Sequence, residues 1–328
     1  MTATSESETK LNARSTRLRV AVTQAEPGWL DLEASVKKTC SLIADAAAEG
    51  AQVLAFPECW ITGYPGWIWI RPVDVNMTID YIKNSLRVDS PEIDRICQAA
   101  AQHGLVVVLG FSERLGDSLY ISQVVIDGKQ QGRILSHRRK IKPTHMERTI
   151  FGDASGETLS GVVDSSIGRV GALACWEHTQ PLLKYYMYSQ REQIHVAAWP
   201  PLHPQQGREL WSMTKDGART LSRTYAIEAQ AFVLHAATLI TEKGVTTLNT
   251  AGSLFLGTPG GGTSAIFGPD GVQLTEDLDE CTEGILYADI DFDDILKAKS
   301  FLDLCGHYSR PDLLWLGVDP SVKGHVRS

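Results

Sequence analysis

"SLYISQVVIDGKQQGRILSHRRK", residues 118–140, decides what kind of α/β protein this chain can be. Upstream of it the chain alternates strand and helix. "LRVAVTQ" (18–24) has the period of a strand, and Leu32, Val36, Cys40, Ile43 and Ala47 then recur at helical spacing until Gly50. "AQVLAFPE" (51–58) is a second strand, and Pro91 opens a helix with Ile93, Ile96, Cys97 and Ala100 on one face and Gly104 as its stop. "LVVVLGF" (105–111) is apolar on both faces, as a central strand is. Continued, that alternation would build one doubly wound sheet. Residues 118–140 instead read as two strands about an Asp127-Gly128 turn, which is a hairpin.

Beyond the hairpin, "QIHVAAW" (193–199), "AFVLHAAT" (231–238), "TSAIFGPDG" (263–271) and "GILYADID" (284–291) read as strands, with a long helical stretch near 207–230. Parallel crossovers mixed with hairpins predict two mixed sheets face to face with helices outside, an α-β-β-α sandwich. No composition break or internal repeat divides the chain, so a single domain is expected.

The totals narrow the function. Of 328 residues, 43% are hydrophobic and 21% charged, enough for a soluble protein with a sizeable core. A net charge of −8 argues against nucleic acid or anionic membrane as partner. Cys40, Cys59, Cys97, Cys175, Cys281 and Cys305 are dispersed without a CxxC, the pattern of reduced intracellular thiols. The polar start "MTATSESETKLNARSTR" (1–17) lacks the apolar core of a secretory signal and reads as a disordered arm. No apolar run nears the ~18 residues of a membrane span. A cytoplasmic location is expected.

"GRVGALACWEHTQPLLKY" (168–185) carries the chemistry. Val170, Ala172 and Ala174 alternate with Gly171 and Leu173 as a buried strand, and Thr179 and Pro181 fit an N-cap and early proline of a helix bearing Leu182, Leu183 and Tyr186. Cys175 falls at that strand-to-helix junction, where free backbone N–H groups and the helix dipole lower a thiol pKa and can hold an oxyanion. A free cysteine is also often a small core residue.

Two other stretches stand out. "FPECWITGYPGWIWI" (56–70) places Glu58 at a strand end, ahead of Trp60, Tyr64, Trp67 and Trp69. Those aromatics suit core packing or an association surface, or else the apolar wall of a pocket. A carboxylate beside such a wall has a raised pKa and can act as a base. "SHRRKIKPTHMER" (136–148) holds five basic side chains from Arg138 to Arg148. A solvated strand end is the plain reading; the alternative turns Lys140 inward toward a carboxylate such as Glu147. "TPGGGTS" (258–264) lacks the Gly-Lys-Ser/Thr of a phosphate loop, the nine histidines show no metal-site spacing, and no G-x-S-x-G occurs.

Glu58, Lys140 and Cys175, in chain order at three strand ends, resemble the site of the nitrilase (carbon–nitrogen hydrolase) superfamily. "FPE", "HRRKIKPTHMER" and "CWEH" are similar to its glutamate, lysine and cysteine motifs, and "GHYSRPDLL" (306–314) resembles the C-terminal signature of its nitrilase branch. The likeness spans residues 18–319, leaving 320–328 as a C-terminal tail. "CWEH" and "KPTHMER" resemble nitrilases of the arylacetonitrilase and aliphatic type. Cyanide hydratases of the same superfamily have Asn where this chain has His178.

The resemblance implies the sandwich already inferred, a site without metal or cofactor, a small-molecule nitrile as substrate, and homo-oligomers in which dimers assemble into spirals. It gives Cys175 the role of nucleophile, Glu58 that of base, Lys140 that of anion donor and Glu147 that of its orienting partner. Tyr64, Trp69, Phe151, Trp176, His178 and Trp199 are expected to contact substrate. Acid and ammonia are the expected products, with some amide. A cyanide hydratase, an amidase or a non-catalytic scaffold are the rival readings.

Overall fold

The computed structural model describes residues 16–207 and 209–322. Among the described residues, eleven strands form two sheets. The N-terminal half supplies β1 (Arg17–Gln24), α1 (Leu32–Ala48), β2 (Val53–Ala55), α2 (Val75–Asn84), α3 (Pro91–His103), β3 (Val106–Leu115), β4 (Ser118–Asp127) and β5 (Arg133–Arg139). Then come β6 (Val163–Ser165), β7 (Gly168–Ala174), α4 (Pro181–Ser189), β8 (Ile194–Trp199), α5 (Lys215–Ala229) and β9 (Phe232–Ala237). The chain ends with α6 (Glu242–Leu248), β10 (Ala265–Phe267), β11 (Gly284–Asp291) and α7 (Asp293–Phe301).

One sheet has the order β11-β1-β2-β3-β4-β5 and the other β10-β9-β8-β7-β6. Each has a parallel centre, β1-β2-β3 and β7-β8-β9, flanked by antiparallel strands. Strand periodicity explains the layering. Val20, Val22, Val53, Ala55, Val106 and Val108 meet Val170, Ala172, Ile194, Val196, Phe232 and Leu234 between the sheets. The alternate residues Ala21, Leu54, Val107 and Leu109 pack on α1 and α3. On the second sheet Leu173, Ala197 and Val233 pack on α4 and α5. These four layers are the α-β-β-α sandwich.

Details depart from the sequence reading. β3 does not stop at Phe111 but runs to Leu115 and turns at Gly116-Asp117 into β4, so a hairpin precedes the expected one. The expected two-residue turn is a five-residue loop, because Asp127 Oδ1 accepts from the Lys129 N–H and starts a 3₁₀ turn over Gly128–Gln130. The helical stretch near 207–230 is helical as α5 only from Lys215, and the N-cap of α4 is Gln180 rather than Thr179, whose hydroxyl binds the Trp176 carbonyl. The expected arm over 1–17 lies outside the described residues except for its end, where Arg17 already pairs with Asp291 in β1. Residues 323–328 of the expected tail lie outside them too. Among the described residues no helix is long and apolar enough to cross a membrane.

Candidate active site

β2, β5 and β7 bring three side chains together. Glu58 follows β2 through Pro57, and Gly110 on β3 makes room for that turn: a Cβ there would sit 2.1 Å from the Pro57 carbonyl oxygen. Lys140 extends β5, its backbone N–H bound to the Ile121 carbonyl of β4 at 2.7 Å. The loop after it folds back as a 3₁₀ turn over His145–Thr149, which returns Glu147 to Lys140. Cys175 ends β7 and begins a 3₁₀ turn over Cys175–Thr179. Its φ of 49° is left-handed, a strained conformation for a side chain with a Cβ and one that gathers at functional sites.

Lys140 Nζ donates to Glu58 Oε1 at 2.9 Å and to Glu147 Oε2 at 2.8 Å, with all three side chains buried. Both oxygens of Glu147 have partners: Oε2 also accepts the Thr144 N–H at 2.6 Å, and Oε1 accepts the Tyr64 hydroxyl at 3.0 Å. Glu58 is not saturated. Its Oε2 is buried without a hydrogen-bond partner, a state natural structures rarely leave unused.

Burial sets the charges here. It pushes the Glu58 carboxyl up to about 8, against the pull of Lys140 and with the help of Glu147. For Lys140, burial works against the proton, but the Glu147 and Glu58 charges outweigh it and hold the ammonium well above the usual lysine value. Cys175 reverses the expectation from its position. Burial first, then the Glu58 charge, lift its thiol well above the ordinary value, and Lys140 and the Trp176 backbone N–H only partly offset them. The resting sulfur is a thiol, not the thiolate that the strand-to-helix junction alone predicts.

Cys175 and Glu147 lie at a cavity of about 400 Å³ walled by Tyr64, Trp69, Trp176, Leu202, Met213 and Phe255, with Thr144, His145, Pro200 and Leu210 completing it. Of the six residues expected at the substrate, Tyr64, Trp69 and Trp176 line this cavity. Phe151, His178 and Trp199 do not line it. Phe151 packs edge-on against Tyr81 in the core, because its backbone is tied to Leu119 at the end of the β3–β4 hairpin. His178 points to the Cys175 carbonyl, and Trp199 stacks on it and donates to Ser222. Trp60 and Trp67 are buried, so the aromatic loop faces inward rather than forming an association surface.

Sequence reading missed three kinds of residue. Leu202 and Phe255 come from loops, and Met213 from a 3₁₀ turn inside the stretch read as one long helix, so nothing marked them. The Thr144 N–H that braces Glu147 is a backbone group. Glu177 stood within "CWEH" unassigned, although an acidic residue two after a buried cysteine was a signal. It accepts both terminal nitrogens of Arg138, at 2.8 and 2.7 Å, and the backbone N–H groups of Ala174 and Ile141, each at 2.9 Å. It thereby ties the end of β5 to the end of β7. A held ammonium, an under-bonded carboxylate and a thiol at an apolar cavity suit nucleophilic attack on a weak, uncharged electrophile.

A carbon–nitrogen hydrolase family model matches residues 19–300, and the chain belongs to that family. It is 62% identical to an arylacetonitrilase of Aspergillus kawachii over 95% of both chains, and 62% identical to one of Aspergillus niger over 95% of this chain and 94% of that one. The fold matches a carbon–nitrogen hydrolase of Helicobacter pylori with a TM-score of 0.68 at 17% identity, over 87% of this chain and 93% of that one.

Proposed function

We propose that this enzyme is a nitrilase that converts an organic nitrile, of the arylacetonitrile class, to the carboxylic acid and ammonia. The observation that carries the reading is the unpartnered Glu58 Oε2, buried beside a lysine that holds the other oxygen and close enough to Cys175 to raise its thiol. As the Cys175 sulfur attacks the nitrile carbon, its proton passes to Glu58 Oε2 and on to the nitrile nitrogen, giving a thioimidate. Because the resting thiol is neutral, proton transfer accompanies attack. Lys140 and the Trp176 N–H stabilise the developing negative charge, a contribution typically worth about 2.7–4 kcal/mol per donor.

Glu58 next takes a proton from water as its oxygen adds to the same carbon. If the nitrogen of that tetrahedral species is protonated, ammonia leaves and a thioester remains, which a second water cleaves to the acid and the Cys175 thiol. If the sulfur leaves first, the amide is released as by-product. Two waters are consumed for each nitrile taken to acid. The apolar cavity suits an aryl group, since Trp69 and Phe255 offer ring faces and edges.

We propose that the enzyme works as a homo-oligomer in the cytoplasm. Phe301, Leu314 and Trp315 near the C-terminus are exposed, in keeping with the association of copies. The decisive experiment measures ammonia, acid and amide from phenylacetonitrile, mandelonitrile, cyanide and simple amides. Acid and ammonia from the arylnitriles are expected. Turnover confined to cyanide or to amides would favour the hydratase or amidase reading, and no turnover at all would favour a scaffold.

A further inference from the structure

Behind Cys175, on the side away from the cavity, four buried side chains run in line from the nucleophile's own backbone. His178 Nδ1 lies 2.7 Å from the Cys175 carbonyl oxygen, and His178 Nε2 lies 3.0 Å from His195 Nε2. His195 Nδ1 lies 2.9 Å from Glu192 Oε2, and the Tyr225 hydroxyl donates to Glu192 Oε1. None of the four is more than 3% exposed. Gly171 on β7 makes the space, since a Cβ there would meet Glu192 Oε2 at 2.1 Å.

The direction of every bond follows from one end. A carbonyl only accepts, so His178 carries its proton on Nδ1. Burial, reinforced by His195, holds the His178 pKa well below the usual imidazole value, so the ring is neutral and Nε2 bears a lone pair. His195 therefore donates through Nε2. Its Nδ1 then faces a carboxylate oxygen, and that contact needs one more proton than a neutral imidazole and a carboxylate hold between them. The His195–Glu192 pair keeps this proton, with Tyr225 donating from the far side.

The chain ends on the peptide linking Cys175 and Trp176. Its carbonyl receives the His178 hydrogen bond, and its N–H, on Trp176, points the opposite way across the trans peptide and pulls the Cys175 thiol down against burial. A hydrogen bond to one end of an amide polarises the other end. We propose that Glu192, His195 and His178 are positioning residues that fix and polarise the 175–176 peptide, so that its N–H stabilises charge at the reacting centre. The proposal rests on the nitrilase reading for the identity of that charge.

Glu192→Gln is the sharp test, because its amide can donate to His195 Nδ1 and accept from Tyr225, preserving the chain while removing the extra proton. With phenylacetonitrile, kcat should fall about tenfold with KM within about twofold, the split expected when an interaction acts in the transition state. Alkylation of Cys175 by iodoacetamide, followed on the Cys175 peptide, should slow in proportion. His178→Asn keeps a donor near the Cys175 carbonyl but disconnects His195. It should lose a similar factor, and the double variant should lose no more than either single one.

A kcat within about twofold of wild type in folded Glu192→Gln, or losses that simply add, would overturn the proposal and leave a packing role. One arm needs no variant: solid-state NMR of ¹⁵N-histidine-labelled enzyme should find His178 neutral and protonated on Nδ1, and an Nε2–H tautomer would refute the chain. If wild type hydrolyses no nitrile, the nitrilase reading fails, while the alkylation and NMR arms still decide this one.

Discussion

Arg138 and Lys140 stand two residues apart at the end of β5, both buried, each bound to a buried glutamate, and their partners behave in opposite ways. Glu177 accepts four hydrogen bonds, two from Arg138 and two from backbone N–H groups. Burial alone would raise its carboxyl, but Arg138 and those bonds outweigh burial and hold it below the ordinary value. Glu58 accepts one bond from a lysine it shares with Glu147, keeps one oxygen bare, and is pushed up to about 8. Depth does not separate them. The number of donors does, and it divides a fully bonded brace from a carboxyl left with a bare oxygen.

Four measurements would break or sharpen that contrast. The largest effect belongs to the bare carboxylate: Glu58→Gln should lower kcat by roughly 10⁴-fold, the upper range for losing a general base. Its thermal midpoint should hold or rise, since a poorly satisfied buried carboxyl is removed. Substantial activity in that variant would transfer the base role elsewhere.

Glu177→Gln should show the mirror image. It leaves the Arg138 charge without its anion, and breaking a buried pair costs about 3–5 kcal/mol of folding stability, readable as a shift in urea midpoint. A midpoint equal to wild type would mean that the brace carries no load.

The third effect is on pH. As the proposed base, Glu58 must be ionised, so kcat/KM should climb about tenfold per pH unit below a midpoint of about 8 and level off above it. The same shift acts on stability with the opposite sense. The folded carboxyl keeps its proton above the ordinary value of 4.5, so its contribution to stability declines as pH rises from there through about 8. A kcat/KM limb near pH 4.5 would show that burial does not govern Glu58.

The smallest change is expected at the cavity wall. Phe255→Ala removes a ring that touches Tyr64 and Trp69 but no ionic group. It should raise KM for phenylacetonitrile about tenfold, within the ~1–3 kcal/mol an apolar contact supplies, and leave kcat nearly intact. A loss confined to kcat would place Phe255 in the charge arrangement instead.

Strand-end residues were legible because apolar runs fix where strands stop. Glu58 and Cys175 each follow such a run, Lys140 follows the basic second strand of the hairpin, and the fold brings all three to one place. The layers were legible for the same reason, as one residue's shift of phase would turn Val20 and Val22 away from the facing sheet. The charge on Cys175 was not legible, since a helix dipole and burial act with opposite sign and the folded surroundings decide which wins. Neither was the direction of His178, which depends on a single 3₁₀ turn swinging its ring back toward the Cys175 carbonyl. Ser112 to Leu115 hid a strand because the buried Glu113 reads as a loop residue, while Arg139 and His137 satisfy it across the sheet.

One string of bonds in the cavity wall bears on how such an enzyme can change. Trp69 Nε1 donates to the Tyr64 hydroxyl, which donates to Glu147, which receives Lys140. Two of the four aromatic residues Tyr64, Trp69, Trp176 and Phe255 that wall the cavity are therefore wired to the ammonium, and Phe255, Leu202 and Met213 are not. Diversification for new substrates has a cheap direction and an expensive one. Libraries built on Leu202, Met213 and Phe255 should yield altered selectivity at preserved turnover, whereas those built on Tyr64 or Trp69 should be dominated by slow enzymes whatever they bind.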